Sequence, residues 1–258
     1  MRNQSLSILV TRPQGQAEEL ETLLRARGWD VLFQPVIAIG PPADSYAALD
    51  AELQRLADFE WVVFSSSNGV EAFRNRLLAH DLWPPKTLKF ASIGPGTSRA
   101  LEEAGLPTDF VPDVYRAENL AEGLVPDAKN GARFLLIRAS RGREVLAETL
   151  REAGGVVTQV VAYTSEDVTR ESPLWEPGIW SKMKAGQIDW VTITSSAIAA
   201  ATVRLFGETL KKTKLVSISP LTSAALARLG FQPQAEAEEA TMEGVAQAVA
   251  NKTPLNCV

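Results

Sequence analysis

Small hydroxyl residues gather in four short turns of this chain: Ser65-Ser66-Ser67-Asn68, Gly94-Pro95-Gly96-Thr97-Ser98, Thr194-Ser195-Ser196 and Ser219-Pro220-Leu221-Thr222-Ser223. Each follows a short apolar run, such as Trp61-Val62-Val63-Phe64 or Trp190-Val191-Thr192-Ile193, and leads into text with helical spacing. A hydroxyl at such a junction caps a helix. The same junction leaves backbone N–H groups facing outward, where an anion binds without help from Lys or Arg. For any single turn, capping is a sufficient account. Matched turns in two facing lobes would surround one cleft, and that favours a ligand site.

Two further features bear on chemistry. Arg138-Ala139-Ser140-Arg141-Gly142-Arg143 is a basic turn after an apolar run. It reads equally well as a solvated helix start or as a carboxylate contact. Tyr163 closes the run Val156-Val157-Thr158-Gln159-Val160-Val161-Ala162. By spacing alone it is a packing residue of a strand, since a phenol acts as an acid only when positioned.

Other chemistries lack their parts. The single cysteine, Cys257, makes a disulfide within the chain and a Cys-based zinc site impossible, and one histidine cannot form a His pair. A Ser-His-Asp hydrolase would have to run through His80, which reads as a solvated residue at a helix end, and no G-x-S-x-G elbow is present. Neither GxxxxGK[ST] nor GxGxxG after a strand occurs, which argues against ATP and dinucleotides. The net charge of −5 and the lack of a Lys/Arg block argue against nucleic-acid binding. No apolar run reaches membrane-spanning length and the polar start lacks a signal-peptide core, so the expected compartment is the cytoplasm. The tail at 251–258 is expected to be loose.

The elements that must position these residues are duplicated. Ile8-Leu9-Val10-Thr11-Arg12 matches Phe134-Leu135-Leu136-Ile137-Arg138 at an offset of 126 residues, and the helical texts 16–27 and 142–153 match at the same offset. Each is closed by a glycine, Gly28 or Gly154, suited to a left-handed helix end. Trp61 then matches Trp190, Ile93 matches Ile218, and the text from Ala117 matches that from Ala240. Apolar strands alternating with amphipathic helices call for parallel α/β sheets, and two copies call for two similar lobes.

Taken in order, these motifs resemble the uroporphyrinogen-III synthase family, from residue 8 to about residue 249. The resemblance rests on Leu9-Val10-Thr11-Arg12-Pro13, Phe64-Ser65-Ser66-Ser67-Asn68-Gly69-Val70, Ile93-Gly94-Pro95-Gly96-Thr97-Ser98, Val161-Ala162-Tyr163, Thr194-Ser195-Ser196-Ala197 and Ile218-Ser219-Pro220-Leu221-Thr222-Ser223. It implies two flavodoxin-like parallel-sheet lobes: residues 1–35 with 168–258, and residues 40–162, joined by a two-stranded bridge of 31–39 and 156–166. The implied reaction is cofactor-free cyclisation of hydroxymethylbilane, with loss of water and inversion of ring D, in haem and sirohaem formation. Tyr163 would be the acid that helps the hydroxyl leave. Arg12, Ser65, Ser66, Ser67, Asn68, Thr97, Arg138, Ser140, Ser195, Ser196, Ser219 and Thr222 would hold the substrate. The resemblance also implies a monomer supplied with substrate by the preceding pathway enzyme, with no nucleic-acid or membrane partner.

One position departs from the family pattern. Ser219 stands where glycine is usual, as at Gly94. A serine costs stability there if the turn needs positive φ. The departure is the one feature favouring the alternative of a non-catalytic tetrapyrrole- or polyanion-binding sensor.

Overall fold

The computed structural model describes residues 5–253. The apolar runs become strands and the amphipathic texts become helices: β1 (Ser7–Val10), α1 (Glu18–Ala26), β2 (Asp30–Phe33), β3 (Ile37–Gly40), α2 (Ala47–Leu53), β4 (Trp61–Phe64), α3 (Ser67–Ala79), β5 (Lys89–Ser92), α4 (Pro95–Glu103) and α5 (Ala117–Lys129). They continue as β6 (Arg133–Ala139), α6 (Val145–Glu152), β7 (Val156–Asp167), α7 (Pro177–Lys184), β8 (Trp190–Ile193), α8 (Ser196–Phe206), β9 (Lys214–Ser217), α9 (Pro220–Arg228), β10 (Ala235–Glu236) and α10 (Met242–Asn251). Asn251 ends the last helix, and residues 254–258, with Cys257, lie outside the described residues.

The chain divides into two compact units, Met1–Ile39 with Glu166–Val258, and Gly40–Ser165. Two five-stranded sheets form, in the orders β10-β9-β8-β1-β2 and β3-β7-β6-β4-β5. The pairs β1–β2, β1–β8, β8–β9 and β9–β10 run parallel, as do β4–β5, β4–β6 and β6–β7. The duplication is visible in this order. Replacing β9, β8, β1 and β2 by their sequence counterparts β5, β4, β6 and β7 reproduces four adjacent strands of the second sheet; the edge strands β10 and β3 differ. Segment 31–39, expected as one bridging strand, is two: β2 joins the first sheet and β3 the second. Pro35 between them lacks the N–H that a continuous ladder needs.

Both faces of each sheet are covered, which is why the strands are apolar throughout. In the first unit, Ile8, Val10, Val31 and Val216 pack with residues of α1 and α10. Leu9, Val191, Ile193 and Leu215, pointing the other way, pack with residues of α7, α8 and α9. In the second unit, Trp61, Val63, Phe134 and Leu136 meet α5 and α6. On the opposite face Phe64 meets Phe73 of α3 edge-on, with ring centroids 5.3 Å apart. Among the described residues, no helix is long and apolar enough to cross a membrane.

His80, expected as a solvated helix end, is the C-cap residue of α3 and joins an ion cluster. Its Nε2 lies 3.1 Å from Asp50 Oδ1. Arg76 of α3 grips Asp50 of α2 through both nitrogens, Nε at 2.7 Å and Nη2 at 2.6 Å. The Arg76 hydrogen bond holds the Asp50 carboxyl below its ordinary value. A depressed carboxyl stabilises the fold above its unfolded value, near 4, and loses that contribution as pH falls through its folded value. Asp50→Asn is expected to cost about 0.5–1 kcal/mol at neutral pH. That difference from wild type is expected to vanish towards pH 2. Urea unfolding of both proteins across pH 2–7 measures it; a difference that persists at pH 2 contradicts the assignment.

Candidate functional site

The hydroxyl turns sit at the carboxyl ends of the parallel strands, the end at which open α/β sheets bind ligands. In the second unit β4 ends at Phe64, Ser65 is exposed, and Ser66 caps α3 by accepting the Gly69 N–H at 3.2 Å. Ser66 Oγ also lies 2.7 Å from Tyr163 Oη. Ninety-seven positions separate these two residues in the chain.

A bulge in β7 makes this approach possible. Arg138 pairs with Val161, but the next partner of β6, Ala139, pairs with Tyr163. Ala162 is therefore the extra residue, and strict alternation breaks: Val161 is exposed, while Ala162 and Tyr163 are both buried. The Ser140 N–H donates to the Tyr163 carbonyl at 2.9 Å and holds the strand end. Tyr163 is 8% exposed. Its burial pushes the phenol up, against smaller downward effects of hydrogen bonds from Ser66 and Asn68 and of the charge of Arg141. Desolvation disfavours the phenolate, so the phenol keeps its proton at neutral pH.

The first unit presents a cation where the second presents a phenol. Arg12 follows β1, and its guanidinium donates to the Gln16 carbonyl from Nε at 2.6 Å and to Thr194 Oγ1 from Nη1 at 3.2 Å. It makes no ion pair among the described residues. Burial pulls its pKa down, against the opposing pull of Glu19 and Glu18. Arg12 lines a cavity of about 470 Å³ with Phe33, Pro35, Pro173 and Leu174. Gln34, fully buried, shapes that wall by donating to the Leu174 carbonyl and accepting the Glu176 N–H. Nearby, Ser195 caps α8 through the Ile198 N–H at 3.1 Å, and Ser196 is half-buried.

Other residues named from the sequence fall elsewhere. Thr97 and Thr222 are 6% and 2% exposed, so their side chains serve the packing of their own helix turns. Arg138 pairs with Glu144 and donates to Gln159 Oε1 at 2.8 Å; its charge is met within the protein. Arg143 pairs with Glu118. Ser65, Ser67 and Ser140 are exposed, and Asn68 is half-buried beside Tyr163. Sequence reasoning missed Thr194, the acceptor for Arg12, and Tyr115, which lies over the Gly94 turn. No local pattern marks either contact. Among the described residues, no group of three or more His, Cys, Asp or Glu side chains is placed to hold a metal ion.

The Gly94/Ser219 difference has a packing cause. Gly94 has φ 176° and Ser219 has φ −165°, so both are extended and neither is strained. A Cβ at Gly94 would lie 3.2 Å from Cγ of Tyr115, tighter than ordinary contact. Ser219 instead caps α9, accepting the Thr222 N–H at 3.4 Å. The paired turns are otherwise alike: Ser92 Oγ meets Ser98 Oγ at 2.6 Å, and Ser217 Oγ meets Ser223 Oγ at 2.6 Å.

The family model for uroporphyrinogen-III synthase HemD matches residues 18–247. The uroporphyrinogen-III synthase of Synechococcus elongatus is 30% identical over 253 residues, 94% of each chain. That of Chlorobaculum parvum is 25% identical over 236 residues, covering 88% of this chain and 90% of its own. A crystal structure of a mutant uroporphyrinogen III synthase from Thermus thermophilus superposes with a TM-score of 0.69 at 17% identity, over 96% of this chain and 98% of that one. The Helicobacter pylori uroporphyrinogen-III synthetase gives 0.60 at 16% identity, over 96% and 100%. The structural likenesses bear on fold.

The two turns are expected to respond asymmetrically to exchange. Gly94→Ser puts a Cβ 3.2 Å from the half-exposed Tyr115, which must shift by a few tenths of an ångström, and is expected to cost up to about 1 kcal/mol. Tyr115→Ala in the same chain is expected to restore most of that loss. Ser219→Gly removes one cap hydrogen bond and is expected to cost only a few tenths of a kcal/mol. Thermal unfolding of the four proteins checks this ranking.

Proposed function

Because the chain belongs to the uroporphyrinogen-III synthase family, we propose that it converts hydroxymethylbilane into uroporphyrinogen III. The observation that carries its mechanism is the buried, protonated phenol of Tyr163 at the carboxyl end of the second sheet. The phenol donates its proton to the hydroxyl of the substrate, which leaves as water. The resulting azafulvene is attacked by the substituted carbon of ring D. The spiro intermediate fragments and recloses with ring D inverted. Rearomatisation releases one proton, which returns to the phenolate, so Tyr163 ends as it began. No step calls for a cofactor.

The substrate is a polyanion, and this protein is net acidic. Local donors resolve that tension. Arg12, which makes no ion pair among the described residues, takes one substrate carboxylate as a charge-assisted contact. Ser65, Ser67, Ser140, Ser195, Ser196 and Ser219, with the helix starts they flank, take others. Holding a folded conformer matters as much as acid assistance, because the free substrate closes by itself to the type I isomer. Arg138 serves the turn between β6 and α6 through Glu144. The enzyme acts in the cytoplasm as a monomer and takes its substrate from the preceding enzyme of the pathway. Ser219 sits in extended backbone, so its departure from glycine carries no strain.

The test is an isomer assay: hydroxymethylbilane is generated in situ, the products are oxidised, and uroporphyrins I and III are separated. Protein-dependent formation of type III supports the reading; type I at the uncatalysed rate overturns it. Tyr163→Phe is expected to lower kcat by roughly 10²–10⁴, the usual range for a positioned acid, without unfolding the protein. Arg12→Leu is expected to raise KM by roughly 10-fold or more, the value of a hydrogen bond to a charged group.

A further inference from the structure

Ser66 occupies a position that its duplicate does not. In the first unit, the Ser195 hydroxyl caps α8 and does nothing more among the described residues. In the second, the Ser66 hydroxyl makes the same cap and lies 2.7 Å from the Tyr163 phenol. A hydroxyl has two lone pairs and one proton, and the Gly69 N–H occupies one lone pair of Ser66 Oγ. One proton lies between Ser66 Oγ and Tyr163 Oη, so one of the two hydroxyls must donate. The surroundings select Ser66. It sits at the positive end of α3, and the N–H it accepts polarises its own O–H towards stronger donation. Asn68, from the same turn, makes a second side-chain hydrogen bond to Tyr163, and Arg141 is the charged group facing the phenol.

We propose that Ser66 is a positioning residue: its hydroxyl donates to Tyr163 Oη, which turns the phenolic proton towards the substrate's leaving hydroxyl and supports the phenolate left behind. The proposal rests on Tyr163 being the acid, and it withdraws Ser66 and Asn68 from the set of carboxylate ligands. It separates Ser66 from Ser195, whose hydroxyl meets no phenol among the described residues.

Full-length Ser66→Ala, Ser66→Gly and Ser66→Thr variants test it with two readouts. The first is the titration of the tyrosine ring carbons by ¹³C NMR, the Tyr163 signal being identified by its loss in Tyr163→Phe. The second is the split of steady-state turnover into kcat and KM. Removal of the hydroxyl is expected to move the Tyr163 titration upward and lower kcat about 10-fold, the value of one hydrogen bond, with KM nearly unchanged. Ser66→Thr is expected to restore both. Ser66→Gly keeps the helix start open to solvent and covers the case in which Ser66→Ala folds poorly. Thr241→Ala, which removes the equivalent cap of α10, controls for loss of a cap alone. A Tyr163 titration unmoved in both hydroxyl-free variants overturns the proposal, as does a loss seen wholly in KM. Full type III formation by Tyr163→Phe overturns the acid role itself, and the titration then reports on the hydroxyl pair independently.

Discussion

Every helix begins with N–H groups that have no partner within the helix, and the architecture turns on how these are met. Parallel strands feeding helices place all such starts at one end of each sheet. Ser66, Ser195 and Ser219 each satisfy one N–H at this end, and Thr241 does so for the last helix. The remaining N–H groups and the helix dipoles leave that surface receptive to anions, although the protein carries a net charge of −5. The requirement that lets the helices form thus makes a surface that suits anions.

The duplication supplied two copies of this surface, and side-chain pairing made them different. Arg12 and Arg138 occupy matched positions after the first strand of each copy. Arg138 is neutralised by Glu144, while Arg12 meets neutral acceptors and makes no ion pair among the described residues. Ser66 and Ser195 are matched caps, and only Ser66 meets a phenol. One unit thus offers a cation, and the other a phenol whose burial favours its protonated form. Neither contrast changes the fold, because both are made after the backbone has satisfied its own hydrogen bonds.

Local periodicity by itself determined the alternation of strand and helix, the parallel α/β class, the duplication and the helix caps. These follow from spacings of two and 3.6 residues and from the chemistry of one turn, which neighbouring residues carry between them. Tertiary structure decided which of those residues meet. Tyr163 reads as a strand residue until the bulge at Ala162 turns it towards Ser66. Thr97 and Thr222 read as exposed hydroxyls until sheet packing closes over them. Arg138 reads as an anion contact until Glu144, at the start of α6, reaches it. At Gly94 a Cβ would crowd Tyr115, which a serine side chain there would have to displace. Each of these depends on register or on a contact between elements set by packing across the sheet, and side-chain spacing along one strand or helix does not encode it.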